Sequence, residues 1–228
     1  DGVVFTADRA CGVFSDMDGT ELRDAGHQQM DSPFAEIDCT GFAGWEAGPV
    51  LRAATDGMFI CGSSTWSDKA DLSWATTLTA SFSYTVSSAF TAADGLAFVV
   101  QDTSTTALGL DGYTLGYLQG GMTNSLAVAF RTWDFQNIVV SQDMTDWLDA
   151  GLAKVADSGA LVGHDVVIEI ERSAGAATGT LSIYLDGSGT AALTTTVDWP
   201  TANSYMGCTA GNGGAAQASK VSDLLVTW

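Results

Sequence analysis

The sequence predicts an all-β fold, an antiparallel β-sandwich or jelly roll, and three observations carry that prediction. Apolar and polar residues alternate with a period of two almost everywhere after residue 50, as in half-buried strands. Turn signals rich in glycine, serine and aspartate separate these segments. Only one segment has the spacing of a helix. A dozen or so short strands with little helix are typical of a sandwich.

The strand "LTASFSYTV" (78–86) shows the alternation most clearly, because leucine, alanine, phenylalanine, tyrosine and valine fall on one face and hydroxyl residues on the other. The turn Asp186-Gly187-Ser188-Gly189 predicts a hairpin, since glycine accepts positive φ. The remaining predicted strands are residues 95–101, 125–132, 137–142 and 165–172, the two arms of the hairpin, "YMGCTAG" (205–211) and "KVSDLLVTW" (220–228).

The segment Thr145–Asp157 is the one with helical spacing. Trp147, Leu148, Leu152 and Val155 fall on one side of it. We predict a helix of one to three turns here, within a long connection.

We expect residues 1–228 to form a single domain, whose first forty residues are the hardest to interpret. They are expected to contribute a first strand that pairs with the last strand, and a long loop from Asp16 to Ser32.

Composition and charge narrow the function. Lys and Arg number 8 against 27 Asp and Glu, for a formal net charge of -19. A surface this negative repels phosphate backbones and anionic lipid, which disfavours nucleic-acid and membrane partners. Charged residues are only 15% of the chain while hydrophobic residues are 46%, a balance typical of secreted β-proteins. We therefore expect a secreted or cell-surface protein. No apolar run is long enough to cross a bilayer, and because no signal peptide is visible at Asp1 we expect that a leader has been removed or that the sequence starts after it.

The four cysteines, Cys11, Cys39, Cys61 and Cys208, are too scattered for a zinc site. The interpretation we favour is up to two disulfides formed in an oxidising compartment, with buried free thiols as the alternative. Four cysteines can form two disulfides in three different pairings, and the sequence does not choose between them.

The stretch "SDMDGT" has the form Asp16-x-Asp18-Gly19-Thr20, the pattern of the nucleophile loop in haloacid-dehalogenase-like phosphatases. Those enzymes need a doubly wound parallel sheet with a helix after each strand, and such a pattern does not follow Asp24. A solvated acidic loop, or a calcium loop in which the two carboxylates offer hard oxygens, remains open.

Read in order, the segments from "FAGWEAGPVLRAATDG" through "ADGLAFVVQD", "DGYTLGY", "NSLAVAFRTW" and "GTLSIYLDG" to "YMGCTAGNGG" and "VSDLLVTW" resemble the L-type (legume-like) lectins and their bacterial relatives. The resemblance covers about residues 40 to 228. It implies the concanavalin A-like sandwich and a shallow saccharide pocket built by four loops at one end of the sheet.

Matched motif by motif, the resemblance implies a set of carbohydrate-binding residues. Asp94, in "ADGLAF", would accept hydrogen bonds from sugar hydroxyls, and the Gly112 amide, in "DGYTLG", would donate one. A last loop with Asn212 and Gly213 would let its backbone approach the ligand. Trp133 or Phe135 would be the aromatic plate against the sugar ring.

The third loop departs from the family. The family strand runs Glu-Phe-Asp-Thr-aromatic and holds a calcium and a transition metal, whereas this chain has Ala129-Phe130-Arg131-Thr132-Trp133. A methyl group and a cation therefore replace two anionic ligands. We expect no cofactor, although calcium remains possible, and we hypothesise that Arg131 organises Asp94 or Asp134 in place of the metal.

The same loop is also shortened, because it leads directly into the next strand. Asn137 takes the place of the family's sugar-binding asparagine only if the loop shifts by two residues, and Asp143 becomes the later carboxylate only under that same shift. We favour the shortened loop.

Three functions from different classes remain. The first is a non-catalytic carbohydrate-binding domain whose partners are glycans, as a homo-oligomer or as part of a larger surface protein. The second is a structural or adhesive module without sugar binding. The third is a glycanase using Glu169 and Glu171, which share a strand face. We predict that the protein is not an enzyme, and His27 and His164 are too isolated for a triad or a metal centre.

Overall fold

The fold was obtained as a computed structural model. It describes residues 5–7, 29–30, 51–55, 58–66, 69–87, 94–104, 107–110, 112–119, 121–133, 136–145, 147, 153–156, 163–200, 203–212 and 218–228. Fifteen strands lie in this part of the chain, and a single 3-10 turn covers Gly112–Thr114. The strands are β1 (Phe5–Ala7), β2 (Gln29–Met30), β3 (Leu51–Thr55), β4 (Met58–Trp66), β5 (Ala70–Asp71), β6 (Thr77–Ser87), β7 (Gly95–Gln101), β8 (Leu126–Arg131), β9 (Asn137–Gln142), β10 (Ala153–Ala156), β11 (Asp165–Glu171), β12 (Thr178–Leu185), β13 (Leu193–Asp198), β14 (Asn203–Asn212) and β15 (Ala218–Thr227).

The strands form two sheets. The back sheet has the strand order β13-β12-β11-β6-β15-β1-β2, and the front sheet has the order β10-β9-β8-β7-β14-β4-β3, with β5 paired to β14 beside this path. Every strand pair between described residues is antiparallel except β1 with β2, which is parallel. The predicted all-β sandwich is confirmed, and so is the pairing of the first strand with the last, in which Phe5 lies opposite Val226.

The main core lies between the two sheets. Alternate residues of β6, β11 and β12 face alternate residues of β7, β8, β9 and β14, and the contributing side chains are almost fully buried. Phe82 of the back sheet stacks on Phe98 of the front sheet at 6.1 Å between ring centroids, and it meets Phe130 edge-on at 5.9 Å. Each buried side chain of this size contributes about 1.5–3 kcal/mol to stability.

A second, smaller core covers the other face of the front sheet. Because of it, β7 and β8 are buried on both faces along their whole lengths. Residues 107–122 and Trp147 fold over the small side chains of that face, so the front sheet is the middle layer of three here. The members of this second core are Ala97, Val99, Ala107, Leu115, Tyr117, Leu118, Met122, Ala127, Ala129, Val139 and Trp147.

The predicted helix at Thr145–Asp157 is wrong over its second half. Residues Ala153–Ala156 form β10, which pairs with β9 so that Val155 lies opposite Ile138. The backbone groups at the edge of β9 are satisfied by this added strand, and that tertiary pairing outweighs the local helical spacing. Trp147, expected on the apolar face of the helix, has a helical conformation and is buried in the second core.

Candidate functional site

Strand register brings residues from five front-sheet strands into one line, which we call the rim row. Gly62 pairs with Gly211, Gly211 with Gly95, Gly95 with Arg131, and Arg131 with Asn137. Directly paired residues of antiparallel strands point to the same face. The face is that of the second core, because Ala97, Ala129 and Val139, two residues further along their strands, belong to that core.

The glycine half of the rim row receives the backbone of the glycine-rich turn. A Cβ added at Gly211 would lie 2.5 Å from the carbonyl oxygen of Gly112 and 3.0 Å from the Cα of Leu115. The turn at Gly112 thus sits directly on β14, at a distance that a side chain would not permit. Gly112 itself has a φ of 58°, which suits glycine.

Asp94 lies at the centre of this arrangement. Its N–H donates to the carbonyl oxygen of Gly211 at 3.0 Å, and its own carbonyl oxygen accepts from the N–H of Thr132 at 3.0 Å. The structure therefore brings Asp94, Gly112 and Gly211 together at one end of the front sheet. Asn212, which pairs with Cys61 on β4, is the next residue of the same strand.

The other half of the rim row is polar and buried. Arg131 is 4% exposed, and Asp94 and Asn137 are each 7% exposed. Arg131 pairs with Asn137 on β9 and, on β7, with Gly95, the residue that follows Asp94. The side-chain oxygen Oδ1 of Asn137 has no hydrogen-bond partner among the described residues. A buried amide oxygen left in that state costs about 1–3 kcal/mol, so it is a natural acceptor for a bound group.

Aromatic side chains flank Asp94. Trp133 follows Thr132 and is 38% exposed, and Tyr113 follows Gly112 and is 39% exposed. Trp133 was predicted from the sequence as a site residue and Tyr113 was not. The feature that could have indicated Tyr113 was its position inside the glycine-rich turn. Exposed aromatic rings on segments whose backbone lies close to that of Asp94 suit a ligand that has both hydroxyl groups and an apolar face.

The turn that carries Gly112 and Tyr113 is held from below by the second core. The indole N–H of Trp147 donates to the carbonyl oxygen of Tyr113 at 3.0 Å, and the Trp147 and Tyr117 rings lie 5.2 Å apart. The Tyr117 hydroxyl accepts from the N–H of Met144 at 3.0 Å and lies 2.9 Å from the Ser125 hydroxyl. Burial raises the pKa of Tyr117 above 10.0, so its neutral hydroxyl holds the turn at physiological pH.

The family's metal pair does not fit the residues described here. Calcium takes six to eight oxygen ligands. At the corresponding positions Ala129 is packed in the second core and Arg131 brings a buried positive charge. Over the described ranges, three or more His, Cys, Asp or Glu side chains do not come together anywhere in a group able to hold a metal ion.

Three other candidate sites are not part of the rim row. Asp143 follows the far end of β9, where its carboxylate accepts from the N–H of Ser125, so the shifted-loop role for Asp143 is wrong. Glu169 and Glu171 lie on the back sheet, toward the end of β11 that is farther from the rim row. His164 bonds to Asp186 at 2.8 Å, and this bond lowers the pKa of Asp186.

Some predicted residues lie outside the described part of the chain. These are Asp16, Asp18, His27, Asp134, Phe135 and Gly213, together with Cys11 and Cys39. Asn212 is described as part of β14, but without a side-chain environment.

Comparisons with known proteins identify the fold. The chain matches no family model, and no curated protein matches its sequence. Among solved structures, it is similar to the basic winged bean lectin with Tn-antigen at 15% identity, covering 78% of this chain and 85% of that one, with a TM-score of 0.54.

Two further solved structures are as similar. Lectin II from Ulex europaeus is 17% identical, with coverage of 78% of this chain and 86% of that one and a TM-score of 0.54. The exoplasmic/lumenal domain of VIP36, in a form bound to Ca²⁺ and Man3GlcNAc, is 15% identical, with coverage of 78% and 83% and a TM-score of 0.54. With its two stacked, mainly antiparallel sheets, the chain has the legume-lectin fold.

Proposed function

We propose that the protein is a secreted or surface carbohydrate-binding domain that recognises glycans at the rim row, without a calcium and transition-metal pair. One observation carries the proposal: the backbone of Asp94 is bonded to Gly211 on one side and to Thr132 on the other. This backbone bonding supports a site in which the Asp94 carboxylate lies between the Gly112 turn and the exposed Trp133. The fold similarity to sugar-binding lectins supports the same function.

Each group has a role that follows from the chemistry of sugars, which present hydroxyl groups around an apolar ring face. The Asp94 carboxylate accepts from two hydroxyls, because charged acceptors form the stronger hydrogen bonds. The Gly112 amide donates to a third hydroxyl, and Asn137 Oδ1 accepts from another. Trp133 packs against the ring, and the backbone around Asn212 and Gly213 closes the pocket.

Arg131 replaces the metal in this proposal. Arg131 is buried and pairs across the strands with Gly95, the residue that follows the buried Asp94. A buried carboxylate needs a partner of opposite charge or several hydrogen-bond donors. A planar guanidinium supplies both, so it orients Asp94 for the ligand as a divalent cation does elsewhere in the fold.

An extracellular or lumenal location goes with this function. Cys208 is buried in the main core and disulfide-bonded, and disulfides persist in oxidising compartments. Thr65 lies opposite Cys208, which places Cys61 four residues, or roughly 13 Å, further along the neighbouring strand. That exceeds the reach of a disulfide, so the pairing of Cys61 with Cys208 is excluded. A helix with the length and apolar character to span a membrane is not found among the described residues.

Replacing Asp94 by asparagine tests the proposed site. The change keeps the shape but removes the charge, so binding should weaken by about 2 kcal/mol, or roughly 30-fold. A glycan array followed by calorimetry on the glycan class found would measure it. Asp102→Asn is the matched control, since Asp102 lies beyond the opposite end of β7, where its carboxylate accepts from the Thr123 hydroxyl and the Asn124 amide.

Two results would contradict the proposal. The first is silence of the parent protein on every glycan, which favours the structural or adhesive module. The second is equal affinity of the parent and the Asp94→Asn variant for the glycan found on the array.

A further inference from the structure

The outer face of the back sheet carries a depression at the end remote from the rim row. It is shallow and open to solvent, has a volume of about 640 Å³, and is lined mainly by Thr76, Thr77, Glu171, Ser173, Thr180 and Thr196. A volume of this size is within the range of small-molecule sites. β6 runs from Thr77 at this end to Ser87 at the other, 11 residues or roughly 35 Å.

The floor of the depression is a line of polar side chains set by strand register. Thr77 pairs with Glu171, Glu171 with Thr180, and Thr180 with Thr196, across four neighbouring strands. All four side chains are exposed on one face. Threonine hydroxyls donate and accept, and the carboxylate of Glu171 accepts. The floor therefore matches a ligand with many hydroxyl groups.

A rigid loop beside this floor exposes a tryptophan. Trp74 is 55% exposed, the highest value among the large apolar side chains of the described residues. It lies between Ser73 and Ala75, whose carbonyl oxygens accept from the Arg172 guanidinium at 2.7 and 2.8 Å. The N–H of Arg172 donates to the carbonyl oxygen of Thr76 at 2.8 Å.

Arg172 also bonds to residues outside this loop, and we call the whole set of its bonds the Arg172 clamp. The Arg172 guanidinium also reaches the carbonyl oxygens of Leu72 and Ala176 and lies 4.1 Å from the centre of the Trp199 ring. The Trp199 indole N–H donates to the carbonyl oxygen of Leu72 at 3.1 Å. A loop fixed by this many bonds exposes Trp74 without losing further entropy on binding, which favours affinity.

We propose that this depression, with Trp74 at its edge, is a second binding site for neutral glycan chains. A line of hydroxyl groups, one carboxylate and one exposed indole provide the three kinds of contact that a sugar uses. Among the described residues that line the depression, Arg172 is the only cation, and four of its five guanidinium N–H groups donate to backbone carbonyl oxygens. With Glu171 in the floor and a net charge of -19, acidic glycans are repelled.

The second site stands on observations separate from those at the rim row, and the two can fail independently. Two sites at opposite ends of one chain would let a single domain link two glycan chains, or hold one long chain at two points. Linked weak sites gain apparent affinity when both are engaged.

The test compares Trp74→Ala with Trp133→Ala, since both remove an exposed tryptophan and lie at opposite ends of the sandwich. Native gel electrophoresis through β-glucan, xylan, galactan or mannan measures retardation for the parent, both single variants and the double variant. We expect at least one polysaccharide to retard the Trp133→Ala variant, and its dissociation constant to rise about tenfold on adding Trp74→Ala. Thr180→Lys should weaken the same binding without touching the Arg172 clamp.

The outcomes separate the two sites. If Trp74→Ala and Thr180→Lys leave retardation by every polysaccharide unchanged, the proposal of a second site is wrong. A loss of retardation in Trp133→Ala would still support the site at the rim row. Loss confined to Trp74→Ala and Thr180→Lys supports the second site and counts against the rim. Stronger retardation by an acidic polysaccharide than by any neutral one also overturns the second site. Melting temperatures confirm that each variant is folded.

Discussion

Replacing Gly211 by alanine is expected to displace the Gly112 turn and to abolish glycan binding at the rim. The new methyl group would lie 2.5 Å from the carbonyl oxygen of Gly112 and 3.0 Å from the Cα of Leu115, both backbone atoms that cannot rotate away. Overpacking of this kind costs about 1–3 kcal/mol. Urea unfolding measures the loss of stability, and calorimetry with the array-selected glycan measures the loss of binding.

Gly189→Ala is the matched control for that substitution. A Cβ at Gly189 meets no atom within 4 Å, so stability and glycan binding should stay as in the parent. If Gly211→Ala binds glycan as tightly as Gly189→Ala does, the Gly112 turn has no part in the site.

Replacing Arg131 by alanine is expected to cost more stability than any other single change at the rim. The substitution removes a buried cation beside the buried Asp94, and an uncompensated buried charge costs about 3–5 kcal/mol. The packing of the aliphatic part of the Arg131 side chain is lost as well. Binding should also fall, because Asp94 is no longer oriented. Urea unfolding and calorimetry measure the two effects.

A double-mutant cycle separates the charge from the packing. If Arg131 compensates Asp94, then Arg131→Ala combined with Asp94→Ala costs clearly less than the sum of the two single variants. Additive losses would show that the two side chains are independent, and the proposed replacement of the metal would then be wrong. Arg131→Lys should recover only part of the stability, since an ammonium lacks the planar fork.

Strands β11 and β12 of the back sheet were predictable because exposed and buried residues alternate along them. Residues 165–171 alternate between exposed and buried, as a half-buried strand should. β10 was not predictable, because four residues with a helical neighbourhood become a strand only when the edge of β9 is available. The full burial of β7 and β8 depends on a second core whose members come from residues 97 to 147.

The candidate site was predictable in part. Asp94 and Gly112 stood out through the family resemblance, and the structure brings them to one end with Gly211. The rim row itself was not visible, since it follows from the register of strands that are more than 100 residues apart. The clamp on Trp74 was hidden for the same reason, because Arg172 lies about 100 residues further along the chain.

Calorimetric titration of the array-selected glycan, with and without a chelator of divalent ions, tests the central claim most directly. The account predicts the same affinity in both conditions, because Arg131 rather than a metal ion orients Asp94. Loss of binding on adding the chelator, restored by calcium, would contradict it.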